Sequence, residues 1–144
     1  MADAAVVEVA KAVVTELNGA SLSQEFTAVR HYWPMVELKD MSALKVFVVA
    51  RDVSIEAFSR GKTESEIEIS VVVHQEVDPG DLTTVDGLML LVQEMAEFFR
   101  LRRSTEYASA AWTGTRHAPL VSFDDLEERR LFTSVLVLTF SVVR

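Results

Sequence analysis

Residues 130–143 constrain this chain most. Read as a strand, they place Phe132, Leu136, Leu138, Phe140 and Val142 on one face and Leu131, Thr133, Val135, Val137, Thr139 and Ser141 on the other. Neither face is polar. A strand of this kind has to be covered on both sides, by the chain's own helices or by another subunit. The chain is therefore expected to build a sheet with helices on it, and to have a use for whatever sheet surface those helices leave bare.

The remaining segments supply the other layers. Val6, Val9, Ala10, Val13 and Leu17 recur at helical spacing from Ala4 to Leu17, with Asp3 placed as an N-cap and Asn18-Gly19 as the stop. Phe26 to Trp33 is rich in β-branched and aromatic residues and ends at Pro34, as a peripheral strand does. Leu44 to Arg51 alternates, loses its pattern around Ser59, Arg60 and Gly61, and alternates again through Ile67, Ile69, Val71 and Val73. This reads as two antiparallel strands joined by a loop over residues 51–64.

Asp78-Pro79-Gly80-Asp81 is a turn, and Val85, Leu88, Met89, Val92, Met95, Ala96 and Phe99 then define a second helix, with Arg100, Arg102 and Arg103 suited to the negative end of its dipole. A strand over Ala110 to His117 and a loop over residues 116–128, with Pro119 and the acidic run Asp124 to Glu128, lead into the final strand. The expected fold is one α+β domain over residues 1–144. Its order is α-β-β-β-α-β-β, a mainly antiparallel sheet of about five strands with two helices packed on one face.

Composition narrows the function. The 144 residues are 49% hydrophobic and 25% charged, enough apolar material for a core, and the net charge of −8 sets the chain against phosphate backbones. With no cysteine there is neither a thiol nucleophile nor a thiolate metal site. The first residues have no basic segment leading into an apolar one, as a secretory signal would, and no apolar run approaches the length of a membrane span. The acidic excess lies in residues 1–99, while residues 100–144 carry a small basic excess, an asymmetry that suits head-to-tail association.

Motifs for covalent chemistry are missing. His31, His74 and His117 fall in separate strands without metal-ligand spacing, the glycines form no phosphate loop, and no nucleophile elbow occurs. No catalytic residue, metal ligand or cofactor site is expected. Glu64, Glu66 and Glu68 share one strand face and form either a solvated, edge-protecting surface or an acidic wall, which suits a duct for nucleic acid because it does not hold phosphates. Arg60 and Lys62 beside them could set the register of an assembly. Trp33, Trp112 and Tyr32 stand near strand ends as candidate interface anchors, or belong to the core margin.

Several phrases give the chain a family likeness. Ser23-Gln24-Glu25-Phe26-Thr27-Ala28-Val29-Arg30, Leu44-Lys45-Val46-Phe47-Val48-Val49-Ala50-Arg51 and Arg130-Leu131-Phe132-Thr133-Ser134-Val135-Leu136-Val137-Leu138-Thr139-Phe140, in this order of elements, resemble the tail terminator (tail completion) proteins of long-tailed bacteriophages. The resemblance extends over nearly the full length and rests on patterned apolar phrases. It implies a virion structural protein found at the head-proximal end of the tail and assembled in the host cytoplasm. Its homohexameric ring would cap the tail tube, stop its polymerisation and present the surface that meets the neck or head-completion protein.

DNA would pass through the central hole without specific binding, and no membrane would be involved. On this footing Arg60, Lys62, Glu64, Glu66 and Glu68 are candidates for the channel or the subunit boundary, and Val135, Val137, Thr139, Trp33 and Trp112 for the subunit interface. Three other readings stay open: a different neck or head-tail joining component, an adaptor dimer, and a small α+β enzyme whose pocket joins His74, His117 and a carboxylate such as Glu76.

Overall fold

The computed structural model describes residues 4–32, 43–100 and 110–143. Among these the order is α1 (Ala5–Asn18), β1 (Ala28–Arg30), β2 (Lys45–Ser59), β3 (Lys62–Glu76), α2 (Leu82–Phe99), β4 (Ala110–His117), α3 (Phe123–Arg129) and β5 (Leu131–Val143). The strands form one sheet in the order β1-β2-β3-β5-β4, with β1 parallel to β2 and all other pairs antiparallel. The expected α+β class holds.

The strong alternation of β3 and β5 builds the centre of the sheet. They pair without a break from Glu64–Val143 to Glu76–Leu131. This register puts Ile67, Ile69, Val71 and Val73 on the same side as Leu136, Leu138, Phe140 and Val142. Val9, Ala10, Val13 and Leu17 of α1 and Leu88, Leu91, Val92, Met95 and Phe99 of α2 join them in one core. Phe99 stands edge-on to Phe140, ring centroids 6.4 Å apart, and fixes the end of α2 over the C-terminal part of β5. Removing these side chains from water drives the assembly, at about 25 cal/mol per Å² of apolar area.

Helix α2 begins where the turn signal places it. The carboxylate of Asp81 accepts hydrogen bonds from the Thr84 backbone N–H (3.2 Å) and hydroxyl (2.7 Å), which holds the Asp81 acid below the usual carboxylate range. Helix α1 begins differently from expectation, with Ala4 at the N-cap position and no side-chain bond; Asp3 lies outside the described residues, as do Trp33, Arg102 and Arg103. Of the strand expected from Phe26, the described residues form Ala28–Arg30, which pair with Val46, Phe47 and Val48, and the His31 N–H adds a hydrogen bond to the Val48 carbonyl at 3.0 Å.

Two expected loops are corrected. Residues 51–64 are a continuation of β2 and β3, which form one antiparallel hairpin closed at Arg60–Gly61, where Gly61 supplies φ +83°. Irregularities between Ala50 and Asp52 and between Ala57 and Ser59 each insert a residue, and the first shifts the alternation by one, which hides the strand from a search at strict period two. Residues 116–128 are likewise not one loop, for β4 runs to His117 and the acidic run forms α3. Ser122 caps α3 by accepting from the Asp125 N–H (3.4 Å), and Asp124 and Asp125 occupy its first turn, where negative charge suits the helix dipole. Between β4 and α3 the chain still tracks β5, through Ala118 N–H to Val135 O, Val135 N–H to Pro119 O and Ser122 N–H to Thr133 O, each 2.9 Å.

Candidate assembly interface

The outer part of the β2–β3 hairpin, its arm, has two unlike faces; its β3 side stays paired with β5 as far as Glu64, so the tip, residues 57–63, is the part that projects past the sheet. Register pairs Asp52 with Glu68, Ser54 with Glu66 and Glu56 with Glu64 on one face, and Val53 with Ile67, Ile55 with Ser65 and Ala57 with Thr63 on the other. The second of these is the face that, farther along the sheet, carries the helices. Val53 is 40% exposed, Ile55 66% and Phe58 57%, so the arm presents apolar side chains to solvent. All of β2 from Arg51 to Ser59 is exposed.

The acidic face keeps like charges directly opposite one another, an arrangement that costs stability in a sheet. Part of that cost is offset. Glu68 lies between Arg51 (3.7 Å) and Arg116 (3.6 Å), and Glu64 accepts a hydrogen bond from the Ser141 hydroxyl at 2.7 Å. Glu66 is exposed and Glu64 and Glu68 half-buried; Arg60 and Lys62 sit exposed at the tip. The acidic trio thus shares the strand face expected of it, and Arg60 lies in the turn beside it.

The other candidates separate. Val137 is fully buried within the chain and has no surface to offer a neighbour in this conformation, whereas Val135 and Thr139 on the same face are half-buried. Trp112 is on the opposite, helix-bearing face, partly buried, its indole N–H donating to the Thr115 hydroxyl at 2.7 Å. It forms one wall of a groove of about 730 Å³ between α2 and β4, whose apolar lining includes Met89, Leu90, Ala96 and Leu120. Leu90 and Leu120 are 48% and 42% exposed there, and Asp86, Glu97 and Arg100 supply charge. Sequence patterning missed this groove, although Leu90, off the buried stripe of α2, was its visible sign.

The three groups that an enzyme reading would join are apart. His74 pairs across to Thr133 on the face away from α1 and α2, with its Nδ1 3.0 Å from the Thr133 hydroxyl, and Phe47 lies between it and His31. His117, paired with Leu136, lines the groove on the other face, and Glu76 borders a separate hollow with Asp78 and Arg130. Burial lowers the pKa of both His74 and His117, with Asp125 opposing the shift at His74. His74 is thereby held as a neutral, buried imidazole rather than poised in a cleft. Among the described residues no group of three or more His, Asp or Glu is arranged to hold a metal, and no helix is long and apolar enough to cross a membrane.

No protein-family model and no curated protein sequence matches the chain. Among solved structures, the sheath/tube terminator of an extracellular contractile injection system (PVC), determined by cryo-EM in its extended state, aligns with 99% of this chain at 14% identity and a TM-score of 0.46. The chain spans 58% of that protein's length.

Proposed function

We propose that the chain is a structural protein of a phage-type tail, a terminator whose copies close into a six-membered ring on the last ring of the tube. The observation that carries the reading is the two-faced hairpin arm. An exposed arm with one apolar and one acidic face has no use in a solitary monomer, since the apolar face loses favourable burial and the acidic face repels itself. Both features gain a purpose in a ring, where the apolar side meets protein and the acidic side lines a passage that must not retain DNA. The likeness of three long phrases to tail terminators supports the same conclusion.

In this reading the protein works through interfaces and makes no covalent bond. One ring face complements the tube and halts its growth; the other fits the neck or head-completion protein at the head-proximal end. Glu64, Glu66 and Glu68 face the lumen, Arg60 and Lys62 reach the subunit boundary, and Trp112, on the opposite face of the sheet, lies toward neighbouring protein, whereas Val135 and Thr139 share the face of the glutamates, Thr139 directly across from Glu68.

The test joins light scattering on the isolated protein with tube growth. A mass near six subunits, or a monomer that converts to that species on tube ends, with tubes that stop lengthening once capped, is the expected result. A stable dimer that leaves tube growth unchanged overturns the reading in favour of an adaptor. Binding to heads in place of tubes would assign it to the neck.

A further inference from the structure

The arm and the groove are complementary surfaces at different places in one molecule. The arm offers Ile55 and Phe58, more than half exposed, next to the cations Arg60 and Lys62 at its tip. The groove offers Leu90 and Leu120 on an apolar floor, and its charged lining is the two carboxylates of Asp86 and Glu97 against the one guanidinium of Arg100. Apolar surface faces apolar surface, and cations meet carboxylates, when the one is set into the other. We propose that the hairpin arm of one copy docks in the α2–β4 groove of the next.

Topology makes the contact intermolecular. In the order β1-β2-β3-β5-β4 the arm grows from β2 and β3 while the groove lies beyond β5, at β4. Three strand spacings of about 4.8 Å separate β2 from β4, and paired strands are too stiff to fold back over them. Two unlike patches on different strands of one sheet, β2 and β4, give a heterologous contact, which propagates head to tail and closes into a ring when the rotation allows. A groove of about 730 Å³ accommodates several apolar side chains, as an anchor contact of this kind requires. The inference rests on the self-assembly reading above, and its test is built to fail separately.

The chain has no cysteine, so engineered thiols report without interference. Ile55→Cys and Leu90→Cys, both at exposed positions, are mixed under mild oxidation, with Ile55→Cys plus Thr15→Cys on the exposed side of α1 as the control. The expected result is a disulfide heterodimer at roughly tenfold or more the control yield, because docking raises the local thiol concentration. In parallel, Ile55→Asp and Leu90→Asp are each expected to be monomeric, yet to form a one-to-one heterodimer on mixing, since one retains a sound groove and the other a sound arm.

Cross-linking at the control level by folded variants overturns the contact, and so does preferential formation of either homodimer. A wild-type mass near six subunits without the cross-link leaves the ring standing and removes this contact. The cross-link in a protein that never exceeds two subunits keeps the contact and removes the ring.

Discussion

The side-chain amide of Asn18 makes both hydrogen bonds to the backbone of Ala28, donating to its carbonyl at 3.1 Å and accepting from its N–H at 2.7 Å. One side chain at the end of α1 thus acts as a strand partner for Ala28 of β1, which also pairs with Val46 of β2. Asn18→Ala is expected to cost about 2 kcal/mol, two part-buried hydrogen bonds at roughly 1 kcal/mol each, measured as a lower urea midpoint. Asn18→Asp should cost at least as much at pH 7, because a carboxylate has no proton for the Ala28 carbonyl; a milder effect than alanine would remove the two-bond account.

Phe99 is the last residue of α2 and wholly buried, edge-on to Phe98 at 5.0 Å and to Phe140 at 6.4 Å. Phe99→Ala should destabilise by about 3–5 kcal/mol through lost contacts and a residual cavity. Equilibrium denaturation checks the magnitude, and a cost under about 1 kcal/mol would mean that α2 is not anchored here.

Stability should fall on mild acidification through His74. Its folded pKa lies below the ordinary 6.5, so on lowering the pH through 6.5 the unfolded chain takes up a proton that the native state refuses. The contribution is complete above pH 6.5 and declines from there toward the depressed folded pKa. His117, shifted the same way by partial burial, adds a slope in the same direction. His74→Gln should flatten the dependence of the urea midpoint on pH in that window; an unchanged slope would assign it to His117 or to the carboxylates.

The acidic face of the arm should be a salt-sensitive weakness. Glu56 stands directly across from Glu64, so Glu56→Lys is expected to raise the melting temperature at low ionic strength. The gain should vanish in about 1 M salt, where the screening length is near 3 Å. Glu68→Gln works against it by removing the carboxylate that Arg51 and Arg116 share, at a cost below about 1 kcal/mol because all three groups are partly solvated. Thermal scans of both variants at two salt concentrations decide whether repulsion or bridging dominates on this face.

Helix α2 and the paired strands β3 and β5 were legible from spacing alone, since period 3.6 in one and period two in the others each bury a continuous apolar set. The arm was not. From Val46, Val48 and Ala50 the series on the helix-bearing face jumps to Val53, Ile55 and Ala57, and an inserted residue at Arg51 reads as loss of pattern when it is a shift of phase. Helix α3 was hidden for another reason: Leu126 is the one residue between Phe123 and Arg129 that packs on the core margin, so no apolar stripe reveals it. Of the candidate interface residues, Glu64, Glu66 and Glu68 fell together because alternation fixes a shared face. Val137 and Val135 show the limit of that rule, being alike in pattern and unlike in burial.

By itself the sequence determined the class of fold, the helix-covered face of the sheet and the acidic face of β3, because these follow from local periodicity and the identity of the side chains. The tertiary structure decided which strands are neighbours, that β2 and β3 continue into an arm, that His74 and His117 lie on opposite faces, and that a groove forms against β4. Those features depend on pairings between residues distant along the chain, and no local pattern encodes which distant residue a given edge, bulge or helix side will meet.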